Sequence, residues 1–149
     1  MTTPTSASPE TAELAATLRF AITRLARLMR QQDTGGLAPT MGAMLATIDR
    51  EGPLTLGELA GHEQVAPPTI TKVVAKLEAA GLVTRTIDPS DRRVARVAIS
   101  AEGRTQLARN RTRREAWLTR RLGELSPTDL GHLTAAAEVL EKLTRTSPL

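Results

Sequence analysis

The sequence has no cysteine, and Phe20 and Trp117 are its only aromatic residues. Without thiols there can be no disulfide, no thiolate nucleophile and no Cys-ligated zinc. Histidine is nearly as scarce. His62 and His132 stand far apart in the chain, so a histidine-built metal site has little to draw on. No stretch approaches the roughly 18 consecutive apolar residues that read as a membrane-spanning helix. The first ten residues, MTTPTSASPE, are rich in Thr, Ser and Pro but lack the basic start and apolar run of a secretory signal. The chain is therefore expected to be soluble and cytoplasmic. Also missing are a nucleophile elbow, a phosphate-cradling glycine loop and a cluster of metal-ligating side chains, which argues against an enzyme. No cofactor and no metal are implied.

What is present favours helices. The apolar residues are mostly Leu, Ala, Val, Ile and Met, and 149 residues suit one domain or two small lobes sharing a core. The charge is unevenly spread. Residues 67–121 hold 13 Lys and Arg against 5 Asp and Glu, whereas the rest of the chain holds 7 against 11. Such a split marks one region as the seat for a polyanion.

Periodicity and punctuation give the elements. Ser8-Pro9-Glu10 is a helix start, with a capping hydroxyl, a proline at the first helical position and an acid at the positive dipole end. Leu14, Leu18, Ile22, Leu25 and Met29 then form one apolar stripe, ended by Asp33-Thr34-Gly35-Gly36. A second helix from Pro39 carries Met41, Met44, Leu45 and Ile48 and stops at Gly52-Pro53. Thr55 and Glu58 have the spacing of a capping box, which opens a short third helix. Pro67-Pro68 opens a fourth, with Ile70, Val73, Val74 and Leu77 buried and Gly81 placed to end it. Beyond Gly81 the period changes to two. Residues 82–87 and 94–99 alternate around the turn Asp88-Pro89-Ser90-Asp91 and read as a β-hairpin. A long helix follows Ser100, and Ser126-Pro127 starts a last one with Leu130, Leu133, Ala137, Leu140 and Leu143 expected inward.

The fold expected is mostly α with a small β-hairpin wing: a winged helix-turn-helix over residues 39–100. The expected flanks are a flexible tail at 1–8, dimerisation helices at 9–38 and 124–149, and a connecting helix at 101–123. In a helix-turn-helix the second helix lies in the major groove of double-stranded DNA. On the helix from Pro67, the face away from Ile70, Val74 and Leu77 carries Pro68, Lys72, Ala75 and Ala79, flanked by Thr69, Thr71 and Lys76. Small residues permit close approach, threonines can meet phosphate or a thymine methyl, and lysines supply charge. Taken alone, these residues fit a solvated helix face equally well. The hairpin tip shifts the balance, because Asp91-Arg92-Arg93 would project two guanidiniums toward a narrow minor groove, with Asp91 orienting one of them.

The run VAPPTITKVVAKLEAAGLVTR, followed by DPSDRRVARVAISAEG, resembles the winged-helix core of the MarR family of bacterial regulators. The likeness lies in the Leu-Glu-x-x-Gly-Leu-Val step into the wing, the Asp-Arg-Arg tip and the Ser-x-x-Gly entry to the next helix. The resemblance implies a homodimer whose terminal helices interlock, an inverted-repeat operator and a transcriptional regulator. It places Arg93 at the minor groove and Thr69, Thr71 and Lys72 near bases. It further implies a small-molecule effector that releases a repressor, the alternative being a constitutive or architectural DNA-binding protein. Two departures stand out. Ala66-Pro67-Pro68 replaces a hydroxyl-rich helix start, and the missing cysteine rules out a thiol-oxidation switch. The arginines of the long helix, at 104, 109, 111, 113, 114, 120 and 121, fit either an anion-facing surface or a solvated face with intrahelical pairs such as Arg111 with Glu115.

Overall fold

The computed structural model describes residues 8–145. In chain order the elements are α1 (Pro9–Arg30), α2 (Pro39–Glu51), β1 (Leu54–Thr55), α3 (Leu56–Glu63), α4 (Pro67–Ala79), β2 (Val83–Ile87), β3 (Ala95–Ile99), α5 (Ala101–Leu122) and α6 (Pro127–Arg145). Residues 1–7 of the expected tail lie outside the described part. Ser8 does not belong to a tail, because its hydroxyl accepts the Thr11 N–H at 3.2 Å and caps α1.

Local signals account for most helix boundaries. The Thr55 hydroxyl accepts the Glu58 N–H at 3.1 Å while the Glu58 carboxylate accepts the Thr55 N–H at 2.9 Å, which is the reciprocal capping box. Ser126 caps α6 through the Asp129 N–H at 3.1 Å. At Gly81 the chain must take φ +74° to leave α4 for the wing, a conformation in which any Cβ is strained.

One core serves α2, α3, α4 and the sheet. Met44, Leu45, Ile48, Leu59, Ile70, Val74, Leu77 and Val97 are fully buried in it. Complete burial of each such side chain stabilises by about 1.5–3 kcal/mol relative to exposure, so this cluster holds the helix-turn-helix rigid.

The wing differs from the expected two-stranded hairpin. The sheet has three antiparallel strands in the order β1-β3-β2, with Leu54 opposite Val97 and Thr55 opposite Arg96 on the added edge. Two residues show no alternation, and their pairing is made with a strand far along the chain. A local pattern therefore could not announce β1.

The chain divides into two compact units that meet within α5, after Arg114. In the first unit the turn after α1 is tied to α5. Asn110, only 4% exposed, accepts the Thr34 N–H at 2.9 Å, and Gln106 bridges the Thr34 carbonyl and the Asn110 amide oxygen. Arg114 grips Asp33 through two hydrogen bonds, the Nε one at 2.7 Å. Arg111 makes no ion pair with Glu115; the ties from the arginine-rich helix run from Arg114 to Asp33 and from Arg104 to Asp49, 3.6 Å away. In the second unit α6 has no buried residue, and Leu133 and Leu143, expected inward, are exposed.

Candidate nucleic-acid interface

Helices α3 and α4 are joined by a turn in which Gln64 adopts the left-handed conformation (φ 52°). Along α4 the buried residues are Ile70, Val73, Val74 and Leu77. Pro68, Thr69, Thr71, Lys72, Ala75, Lys76 and Ala79 are all exposed on the other side, as the helical period requires. The start of α4 has no side-chain cap at Ala66, and its two prolines bring no N–H groups. The Thr69 N–H is already bonded to the Ala66 carbonyl at 2.9 Å. This helix terminus therefore has few backbone donors left for a phosphate. Thr71 gives its hydroxyl proton to the Pro67 carbonyl at 3.1 Å, which leaves its methyl group as the part free to make contacts.

The wing tip is more ordered than its sequence suggests. Asp91 holds Arg93 in a fork: Oδ1 accepts Nε at 3.0 Å and Oδ2 accepts Nη2 at 3.1 Å, while Oδ1 also takes the Arg93 backbone N–H at 3.0 Å. The Arg93 side chain is nevertheless 90% exposed, so the guanidinium is oriented without being covered. Arg92 makes no ion pair among the described residues and is free to act as a point charge. Upstream, Asp88 Oδ1 accepts both the backbone N–H and the hydroxyl of Ser90, at 2.9 and 2.6 Å. These bonds close the turn that carries Asp91 and Arg93.

Both wing carboxyls are held below the usual aspartate value of 3.8, Asp88 chiefly by the Ser90 hydroxyl and then its N–H, with Arg96 adding to this, and Asp91 chiefly by the Arg93 guanidinium and then its N–H. A depressed folded-state value means that the carboxylates stabilise the turn at all pH above the unfolded value and lose that effect only as pH falls through the lowered one. Acidification from neutrality to about pH 4.5 is therefore expected to leave the tip intact. A carboxyl NMR titration checks this, and midpoints at or above 3.8 for both residues would contradict it.

Residues 37–95, the segment running from before α2 to the start of β3, match the MarR family. Over 138 residues the chain is 34% identical to an uncharacterized HTH-type transcriptional regulator of Mycobacterium bovis, covering 92% of this chain and 96% of that protein. The chain belongs to the MarR family of HTH-type transcriptional regulators. It is also 29% identical to the HTH-type transcriptional repressor MdtR of Bacillus subtilis, across 77% of this chain and 79% of that one. A crystal structure from Pseudomonas aeruginosa superposes with a TM-score of 0.82 at 32% identity, covering 95% of this chain and all of the other.

This MarR-family chain is thus a DNA-binding regulator of winged helix-turn-helix fold, not an enzyme. No group of metal-ligating side chains occurs among its described residues, and none of their helices is long and apolar enough to cross a membrane. The residues singled out in its sequence fall into two groups on adjacent elements, the exposed face of α4 and the turn between β2 and β3. Sequence reasoning missed Arg96 and the Asn110–Gln106 tie. An asparagine inside an otherwise strongly helix-forming segment was the available signal for the tie, since asparagine favours helix interiors only weakly.

Proposed function

We propose that this regulator binds an inverted-repeat operator as a homodimer and represses transcription until a small molecule releases it. In this reading residues 39–100 form the DNA lobe and the helices at 9–38 and 124–149 the dimer lobe, joined by the helix at 101–123. Helix α4 lies in the major groove, with Pro68, Thr69, Thr71 and Lys72 near base edges, Lys72 also within reach of phosphate, and Lys76 at phosphates. Arg93, oriented by Asp91, enters the minor groove, and Arg92 meets its phosphate rim. The observation that carries the reading is the fork between Asp91 and a guanidinium that is still 90% exposed. A guanidinium so aimed at the tip of a turn is suited to the negative potential of a narrow minor groove. Repression is favoured over activation by the likeness to MdtR.

For the effector, a cavity of about 250 Å³ lies between the end of α1, α2 and α5, walled by Gly42, Ala43 and Ala46 and by the polar groups of Asn110, Asp33 and Arg114. No methionine lines it, since Met44 is wholly buried in the core of the helix-turn-helix and Met41 packs against that core. Oxidation of thiols has no part in release, since there are none.

The test is operator binding measured across a salt series. Arg93→Ala is expected to lose about 1–3 kcal/mol of specific binding. Lys72→Ala and Lys76→Ala should each weaken binding and make the salt dependence shallower where a phosphate contact is lost. Unchanged affinity for Arg93→Ala would show the wing arginine to be misassigned.

A further inference from the structure

The third strand of the wing brings together three charged groups that are distant in sequence. Arg96 occupies the middle strand, opposite Thr55 of β1 on one side and Thr86 of β2 on the other. Its neighbour Val97 points into the core and is fully buried, so Arg96 stands on the outer face of the sheet. There its Nε donates to Asp88 Oδ2 at 3.3 Å and its Nη1 lies 3.5 Å from Glu58 Oε2. Glu58 is the capping-box acid of α3, and Asp88 is the residue that closes the turn at the wing tip. One guanidinium therefore connects the first helix of the helix-turn-helix to the base of the turn that carries Arg93.

We infer that Arg96 is a positioning residue for DNA binding: it fixes the wing tip relative to the helix-turn-helix by bridging Asp88 and Glu58, and it acts on DNA through Arg93 rather than by its own contact. This rests on the reading of Arg93 as the minor-groove residue. Three features support it. Two edges of the Arg96 fork already face carboxylates, and the three groups together carry a net negative charge, which makes Arg96 a poor phosphate ligand. The guanidinium is planar and has several donors in fixed directions, so it can hold two acids at a set separation. Finally, the path from Arg96 to Arg93 is continuous. The Asp88 N–H bonds the Val94 carbonyl at 2.8 Å, the Val94 N–H bonds the Asp91 carbonyl at 2.9 Å, and Asp91 holds Arg93. Without Arg96, the two acids would lie near one another uncompensated, and the turn would lose its anchor to α3.

Two substitutions separate positioning from simple electrostatics by sign. Asp88→Asn keeps a side chain able to close the same turn, and Glu58→Gln keeps a capping box. Each removes a negative charge from the DNA-binding side of the chain. Charge alone would therefore raise affinity for any DNA sequence. Positioning instead lowers specific operator affinity for both variants while leaving binding to unrelated DNA the same or tighter. The Arg96→Ala variant is expected to lose roughly fivefold to tenfold in operator affinity, the scale of coupling within one ion-pair network. In the Arg93→Ala background the same change should cost little further, and Arg96→Lys should restore part of the loss. In the free protein, Arg96→Ala should speed hydrogen exchange at the Asp88, Ser90 and Val94 amides, whereas the Leu77 and Val97 amides stay protected. Losses from Arg96→Ala and Arg93→Ala that simply add, or tighter operator binding by Asp88→Asn, would overturn the inference and leave the wing reading standing. An Arg93→Ala variant of unchanged affinity would overturn both.

Discussion

Replacing Gly103 by alanine is expected to destabilise the protein by about 2–3 kcal/mol, although the residue lies in a helix where alanine is ordinarily the better choice. A Cβ at this position would lie 2.2 Å from the Leu82 carbonyl oxygen and 2.7 Å from Ile99 Cγ1. The carbonyl cannot swing aside freely, because it accepts the Ser100 N–H at 3.0 Å. The Ser100 hydroxyl in turn accepts the Gly103 N–H at 3.0 Å and donates to the Gly81 carbonyl at 2.6 Å. The start of α5, the end of β3 and the turn after α4 are thus locked around a contact with no room for a methyl group. Thermal unfolding should show a Tm lower by roughly 4–12 °C. Gly131→Ala is the control, since a Cβ there meets nothing within 4 Å, and it should be neutral or mildly stabilising. A Gly103→Ala protein as stable as the parent would show that the junction of α5 and the wing is looser than its geometry indicates.

Leu25→Glu should have the largest effect on DNA binding while leaving the helix-turn-helix folded. Helix α1 has no buried residue, and Leu14, Ile22 and Leu25 on its apolar stripe are 57%, 48% and 42% exposed. In α6 Leu133, Val139 and Leu143 are likewise exposed. Exposed apolar stripes of this kind are normally covered by a partner, and in the proposed homodimer that partner is a second copy. A carboxylate in the middle of the stripe would be desolvated in the dimer without a counter-charge, so it should drive the protein to monomers. A monomer engages one half-site only, and loss of the linked second contact should reduce operator affinity by about 10²–10⁴-fold. Sedimentation velocity and operator titration read the two effects together. Circular dichroism should show little loss of helix, because the buried core is drawn from α2, α3, α4 and the sheet and not from α1. A dimer that persists with undiminished operator binding would mean that this stripe is not the dimer contact.

Much of this protein was legible from short-range signals. The capping residues Ser8, Thr55, Ser100 and Ser126, the proline starts of α1, α2, α4 and α6 and the turn at Gly81 are local chemistry, acting over three or four residues. The change from a helical to an alternating period marked the wing. The buried face of α4 followed from helical geometry alone, and with it the exposed positions of Thr69, Thr71, Lys72 and Lys76. The Asp-Arg-Arg tip was readable as a unit because Asp91 and Arg93 are two residues apart and pair whenever the turn forms.

Other features depended on contacts between residues far apart in the chain. Strand β1 exists because Leu54 and Thr55 are delivered to the edge of β3, and two residues carry no periodic trace of that. Arg96 gave no hint that it would stand between Asp88 and Glu58, since one partner comes through the turn and the other across the sheet. The arginines of α5 were equivalent in sequence. Tertiary structure alone distinguished Arg114, which grips Asp33, from its neighbours, and made Asn110 a buried acceptor rather than a surface amide. The difference has a physical cause: caps, periods and tight turns are satisfied within a few residues, whereas a charge or amide gains its partner only after the chain has folded around it.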